Sequence, residues 1–524
     1  MLININRLIR QTVQRHKTAT AIVNIERRRR LSYLEIHRLT NKVCHAITGR
    51  FGLGPGDFYA TLLENDHMVF FHPWMFKCPV TAAWLDIRES LQVQLRQIDQ
   101  IMPRLVFIER HLLPELSTPL LERDITIIAM DRPSQTNPGL FYFWDVISGC
   151  NDDEVDAELA YEDVGQHTAL LRFTGGTTEN AKCAAYSLCN LWSWGMNPSH
   201  YIHVIPFASP RGMFFSPINH AASGSLIIPI FIKGGTVLTL NRADTEQIGQ
   251  VIEEHQVQLI YAVPTTLYRM LGADLSKRND LRSLQTVRYG GAPISPSKLE
   301  ELLDQFGNVF VQGYGSSECW PSATLLPREE HVQDNRNNVM HLNSVGQAVS
   351  GEELVICDEE GHKVPTGQKG EIYIRGANTI SGYYRAPKLT MQHFTSNGFW
   401  KSGDIGYMDE DGFIYIIDRK KDMIITGGYN VYASEVENCL NSHPRVKNSA
   451  VVGLPDDTWG EAVHAMIVLK NEESVSEEEL VAFCKQKLAR HKAPKFIEIV
   501  HDLPLSPAGK VLRREVRQLL LRRH

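Results

Sequence analysis

The sequence predicts an α/β protein, with parallel-type sheets over most of its length and a smaller α+β unit at its carboxyl end. Two observations predict this. From Leu259 onward short apolar runs alternate with helical ones in the order strand, loop, helix, strand, which implies parallel strands joined by crossover helices, with ligand loops at the strands' carboxyl ends. The chain's 524 residues also exceed what one hydrophobic core supports, so about three to four compact units are expected.

Bulk properties narrow the function. With 43% hydrophobic and 22% charged residues the chain reads as soluble and globular. A net charge of −6 gives no electrostatic footprint for nucleic acid, and the basic run Arg27 to Arg30 reads as a solvated hairpin tip. Nine cysteines without a C-x-x-C pair argue against a disulfide framework and a zinc site. The apolar stretch Ser225 to Leu240 is broken by Lys233-Gly234-Gly235, too short for a membrane span, and the amino terminus lacks the apolar core of a signal peptide. A cytoplasmic location and no transmembrane segment are expected.

Residues 1 to about 160 read as scaffold. Within them Ser32 stands as an N-cap before a helical pattern, and Tyr59 to Leu63 reads as a buried strand. Next, Leu171-Arg172-Phe173 leads into Thr174-Gly175-Gly176-Thr177-Thr178-Glu179-Asn180-Ala181-Lys182. Glycine-freed amides, hydroxyls and one ammonium make up the chemistry of a phosphate cradle, although the spacing is not that of the P-loop. Ser216 to Gly224 carries His220 among apolar residues and holds no Asp of its own that would pair with a substrate ammonium.

Leu259 to Val263 is a strand, and Pro264 opens a helix through Leu271. Thr286 to Tyr289 is the next strand, followed by the turn Gly290-Gly291-Ala292-Pro293. Ser295-Pro296 then caps a helix whose Leu299, Leu302, Leu303 and Phe306 share a face. Val309 to Val311 leads into Gln312-Gly313-Tyr314-Gly315-Ser316-Ser317-Glu318, which offers an aromatic face for a purine and a hard oxygen ligand for a hard cation. Asp409 to Gly412 marks a hairpin between Tyr407 and Phe413-Ile414-Tyr415. Further on, Ala450 to Val452 and His464 to Leu469 read as strands, and Ser476 with Glu479 as a capping box.

Six ordered motifs together resemble the adenylate-forming superfamily of acyl-CoA synthetases, peptide-synthetase adenylation domains and luciferases. They are the threonine-rich loop, Gly290 to Pro293, Gln312 to Glu318, Trp400-Lys401-Ser402-Gly403-Asp404, Asp418-Arg419-Lys420-Lys421-Asp422, and Leu503-Pro504-Leu505-Ser506-Pro507-Ala508-Gly509-Lys510. The loop departs from the family's T-S-G-T-T-G-x-P-K-G at Gly175, Glu179, Ala181 and Cys183. The resemblance implies a large N-terminal adenylate-forming domain, residues 1–420, and a small mobile C-terminal domain, residues 421–524, hinged at Lys421.

It further implies roles for individual residues. Thr174, Gly175, Gly176, Thr177, Thr178 and Lys182 would hold the phosphates of ATP, Tyr314 would stack on adenine, Ser317 would reach the α-phosphate and Glu318 would hold Mg2+. Asp404 and Arg419 would meet the ribose, His220 would stand beside the acyl pocket and Lys510 would be the catalytic lysine. Gly427 and Gly428 would line the thiol tunnel, while Trp459 and Lys495 match positions that meet the CoA nucleotide. The activity implied is ATP-dependent conversion of a carboxylic acid to acyl-AMP and transfer to CoA. The alternatives are loading of a phosphopantetheine carrier protein, or a ligand-binding paralogue with an altered phosphate loop.

Overall fold

A computed structural model of the chain describes residues 5–134, 137–155, 168–174, 182–242, 244–320, 322–332, 341–470, 474–505 and 511–523. Among them the strands form four sheets. The largest runs, in spatial order, Gln347–Ala348, Thr324–Leu326, Phe310–Tyr314, Thr286–Gly290, Leu259–Ala262, Arg211–Phe214, Thr236–Thr239, Thr20–Asn24, Arg29–Ser32. Its six central strands are parallel. A second sheet, also mostly parallel, carries Phe58–Leu62, Thr81–Trp84, Leu105–Ile108 and Thr168–Phe173, the last closed by antiparallel Cys183–Ser187.

These two sheets face each other across one core, in which Tyr59, Leu105 and Phe107 of one meet Val237, Leu259 and Val311 of the other around Trp74, Phe71 and Trp192. Helices cover the outer faces. Thr245–His255, Pro264–Gly272 and Pro296–Phe306 pack against Ile260, Val287 and Phe310, while Leu91–Ile101 and Leu113–Leu121 pack against Val106 and Ile127. Strands buried on both faces explain why they read as continuous apolar runs.

A four-stranded antiparallel sheet follows, Glu352–Cys357, Gly370–Gly376, Trp400–Met408 and Ile414–Arg419. After the short turn Lys420–Asp422 the chain enters the fourth sheet with Ile424–Thr426. Here Val446–Asp456 and Gly460–Leu469 form a long hairpin. Helices Ala433–Asn441 and Glu477–Lys487 pack on one face and Arg513–Arg523 on the other. A large α/β region followed by a smaller α+β unit is the architecture the sequence predicts.

Three local readings change. Arg28 and Arg30 are exposed on the hairpin as expected, but Arg27 and Arg29 are half-buried. Arg27 pairs with Asp66 and, at 2.8 Å, with Asp131, and Arg29 lies over Trp144 at 4.9 Å, because the hairpin packs against the buried Asp66 and the half-buried Asp131 and Trp144. Ser32 does cap its helix through a full capping box with Glu35. At Ser476 only half of that motif forms: Ser476 Oγ accepts from the Glu479 amide, while the Glu479 carboxylate turns to Arg445 at 3.4 Å. Ser295 sits at its N-cap position without a side-chain cap bond, its hydroxyl meeting Ser297 at 2.9 Å instead.

Candidate active site

The threonine-rich loop hangs from a hairpin. Strand Thr168–Phe173 pairs antiparallel with Cys183–Ser187, and the Thr174 amide donates to the Lys182 carbonyl at 2.9 Å. Thr174 and Lys182 are thus the paired base of the loop, while Gly175, Gly176, Thr177 and Thr178 lie outside the described residues. The Lys182 ammonium is 2.9 Å from His393 Nε2 and lies over the Tyr383 ring at 5.5 Å. Burial lowers its pKa, Glu318 pulls it back up, and Lys421 and Arg419 add to the lowering.

Two parallel strands end side by side at Gly290-Gly291 and Gly313-Tyr314. A Cβ at Gly290 would collide with the Gly313 carbonyl, so glycine there lets the strand ends approach closely. The Tyr314 hydroxyl donates to Asp404 Oδ2 at 2.7 Å, and Arg419 Nε meets Asp404 Oδ1 at 2.8 Å. Asp404 and Arg419 are cross-strand partners. Burial raises the Asp404 carboxyl pKa, and Arg419 works against it by favouring the charged form.

Glu318 is buried, with one oxygen accepting from Tyr383 Oη at 2.8 Å and the other from Ser316 Oγ. Two neutral hydroxyls orient it without neutralising it, which suits a carboxylate that is to meet a hard cation. The Ser317 carbonyl accepts from Tyr186 Oη. Gln312 points the other way: its amide oxygen accepts from Tyr289 Oη at 3.2 Å on the helix-covered face. Its side chain therefore braces the strand.

These strand ends open on a cleft of about 1480 Å³, walled by Ser216, His220, Tyr261, Gly291, Gly313 and Gly315 to Ser317 among others. The amino-terminal third is more than scaffold, since Glu64, Asn65, Arg88 and His111 line the same cleft. Asn65 holds the Ser216 to Ile218 segment by accepting from the Ile218 amide at 2.9 Å and donating to the Ser216 carbonyl at 3.0 Å. Asp86 meets His220 Nε2 at 2.9 Å, supplying the carboxylate that the His220 segment lacks. Burial pushes the Asp86 pKa up, but the hydrogen bonds from His220 and the Arg88 amide and the attraction of both residues together outweigh it, and the carboxyl stays below its usual range. Sequence reading missed this pair because 134 residues separate its members.

The opposite lip comes from the small unit, through Lys447, Lys470, Asp502, Leu503 and Leu505. Leu505 pairs with Val511; Lys510 lies outside the described residues. Gly427 and Gly428 form the two-residue turn of the hairpin Ile424–Thr426 and Tyr429–Val431, with φ of 56° and 80°, a conformation that favours glycine. Gly427 lies against the exposed ring of Trp459, and Lys495 Nζ sits over that ring at 4.9 Å. None of Gly427, Gly428, Trp459 and Lys495 lines the cleft.

Comparison with known proteins agrees with this arrangement. The family model for AMP-binding enzyme matches residues 9–384, and that for the AMP-binding enzyme C-terminal domain matches residues 435–510. The feruloyl-CoA synthase of an Amycolatopsis species is 31% identical over 491 residues, covering 93% of this chain and 94% of that protein. Two solved structures superimpose along nearly the whole chain. The amide bond synthetase McbA from Marinactinospora thermotolerans gives a TM-score of 0.85 at 25% identity, covering 98% of this chain and 99% of that one. The o-succinylbenzoate CoA synthetase of Bacillus subtilis, in complex with its acyl-adenylate intermediate, gives 0.82 at 26% identity over 97% of each chain. With its strand-end loops, its Asp404–Arg419 pair and its two-unit cleft, this chain belongs to the AMP-binding enzyme family.

Proposed function

We propose that this chain activates a carboxylic acid with ATP to an acyl-AMP and then transfers the acyl group to CoA. One observation carries the reading: Tyr314, which ends a parallel strand between the cleft-lining Gly313 and Gly315, forms a hydrogen-bonded row with Asp404 and Arg419 of the antiparallel sheet, and Glu318 follows on the same loop. The row offers an aromatic face and a buried carboxylate acceptor for a ribose, and Glu318 offers the oxygen that would hold Mg2+. That ion supplies charge neutralisation at the phosphates when bound.

In the first half-reaction the acid's carboxylate attacks the α-phosphorus, the bond to the leaving pyrophosphate breaks, and negative charge grows on the phosphoryl oxygens. Lys182 and Lys510 serve as cations toward that charge, with Thr174, Thr177 and Thr178 as donors. His220, held by Asp86, orders the wall where the carboxylate enters. In the second half-reaction a thiol attacks the acyl carbonyl and AMP leaves. The small unit, residues 421–524, turns about Lys421 to present Gly427-Gly428 for that step. Trp459 with Lys495 across its ring is suited to an adenine and a phosphate of CoA, which favours CoA over a carrier protein, and the reaction takes place in the cytoplasm.

The test is exchange of radiolabelled pyrophosphate into ATP across a panel of carboxylic acids, followed by thioester formation with CoA and, separately, with a phosphopantetheinylated carrier. Exchange dependent on one class of acid, and thioester with CoA, is the expected result. Failure of every acid to support exchange would overturn the reading.

A further inference from the structure

The wall of the cleft hides an uncompensated positive charge. Tyr261, Arg288 and Val311 are register partners on three adjacent parallel strands, so their side chains share one face of the sheet, and Gly313, two residues beyond Val311, shares it too. Tyr261 and Gly313 line the cleft, and Arg288 lies between them, 4% exposed. Its guanidinium occupies the space where a Cβ of Gly313 would stand, which puts it directly behind the cleft wall. Nη2 donates to Ser322 Oγ at 2.7 Å, and Nη1 has no hydrogen-bond partner.

Among the described residues no carboxylate pairs with Arg288, the charged or ionisable groups that act on it being Tyr261 and Tyr289. Burial depresses its pKa to about 10, still far above neutrality, so the group is charged when the protein works. A buried cation with an idle donor is unfavourable unless an anion joins it, and a guanidinium matches the planar geometry of a carboxylate. Arg288 does not itself line the cleft, but Tyr261 and Gly313 on either side of it do, in the cleft in which the proposed acid would lie.

We propose that Arg288 is a specificity residue, and that the acid this protein activates carries a second carboxylate at its far end, which reaches the Arg288 guanidinium between Gly313 and Tyr261. This rests on the reading of the cleft as an acid-activating site. A neutral tail would leave the cation unpaired and desolvated, so such acids are discriminated against by the site's own unmet donor.

The experiment uses the full chain and straight-chain dicarboxylic acids from succinic to sebacic, with the phthalic isomers, each beside its monomethyl ester. In pyrophosphate exchange the expected result is a kcat/KM for one diacid about 10²-fold or more above its ester. Arg288→Met should erase that preference, chiefly by losing the diacid, and Arg288→Lys should restore part of it. Arg288→Gln, which keeps a donor to Ser322, controls for folding and should behave as Arg288→Met does. Equal or better use of the esters by the unaltered protein, or a preference untouched in Arg288→Met, overturns the inference while leaving the acid-activating function standing. Should no acid support exchange, direct calorimetric titration decides: diacid binding that vanishes in Arg288→Met sustains the anion subsite although the proposed reaction fails, and no binding to either protein overturns it.

Discussion

Arg513 Nη1 meets Asp418 Oδ1 at 3.1 Å, which ties the first residue of the last helix to the strand that ends at Arg419. The same guanidinium reaches Asp422 at 3.2 Å and Glu437 at 2.6 Å, and Asp418 also accepts from the Ser434 amide at 2.9 Å. One buried cation thus holds three carboxylates around the turn at residues 420–422, where the chain passes between sheets. Removing it leaves Asp418 and Glu437 buried and unpaired. Arg513→Ala should therefore destabilise this junction by about 3–5 kcal/mol. Urea unfolding should show it, and limited proteolysis should cut faster near residues 420–428; unchanged cleavage there would mean that the ion cluster does not hold the two units together.

Lys421 lies in that turn, and the proposed function makes it the pivot. Proline fixes φ and removes an amide donor, so Lys421→Pro should trap one arrangement. Acyl-AMP formation should survive, while thioester formation should fall by two orders of magnitude or more, taking about 10² as the least effect of losing a required conformational step. Equal loss of both half-reactions in separate assays would place the pivot elsewhere.

The Asp404–Arg419 pair predicts a pH effect with a definite sign. Burial raises the Asp404 pKa, and the Arg419 charge opposes that rise. A ribose hydroxyl needs the carboxylate ionised, so activity is lost as pH falls through its pKa. In Arg419→Leu the opposing charge is gone, the pKa moves further up, and the acid limb of kcat/KM for ATP should shift to higher pH. Arg419→Lys should return it most of the way. An acid limb at the same pH in both variants would show that another group controls it.

His72 is a second titratable group with a clear consequence. It is fully buried among Trp84, Phe76 and Trp320, its ring nitrogens lack hydrogen-bond partners, and burial holds its pKa at about 3. A depressed folded pKa contributes fully above the unfolded value of about 6.5 and is lost as pH falls from there toward 3, by up to about 1.4 kcal/mol per pH unit. His72→Phe keeps the ring and removes the proton site. Urea midpoints at pH 7 and pH 5 should then differ less in the variant than in the unaltered protein. A matching drop in both would assign the acid sensitivity to His331 and His37, whose pKa values burial also depresses.

What the sequence made legible follows from how local each signal is. Strands buried on both faces betray themselves as apolar runs, so Leu259–Ala262 and Thr286–Gly290 fall within a residue of where the sequence puts them. The Ser32 cap is written in four consecutive residues. Asp404 and Arg419 each carry a motif, though neither motif says that the two are cross-strand partners. Asp86, Asn65 and Arg288 were silent, because an aspartate at a strand end or an arginine inside a strand has no local signature. Each acquires meaning only from a segment far away in the chain: His220, Ser216 and Gly313. The capping box at Ser476 misled for the converse reason, since a tertiary partner, Arg445, competes for Glu479.

Lys510 gives the last prediction. Leu503 and Leu505, shortly before it in the chain, line the cleft, and Leu505 pairs with Val511. Gly427, Gly428 and Trp459 are not part of the cleft wall, and one rigid unit cannot present both surfaces to the same place at once. If adenylation uses the face that carries Lys510 and thioester formation the face that carries Gly427-Gly428, the lysine's charge serves only while phosphoryl oxygens are gaining negative charge. Removing a preorganised donor of this kind costs about 10²–10³ in rate, roughly 3–4 kcal/mol. Lys510→Ala should therefore lose pyrophosphate exchange to that extent, yet convert chemically supplied acyl-AMP and CoA to thioester at a near-normal rate. A folded variant that fails on supplied acyl-AMP, or that keeps full exchange, would require both steps to use a single arrangement of the two units.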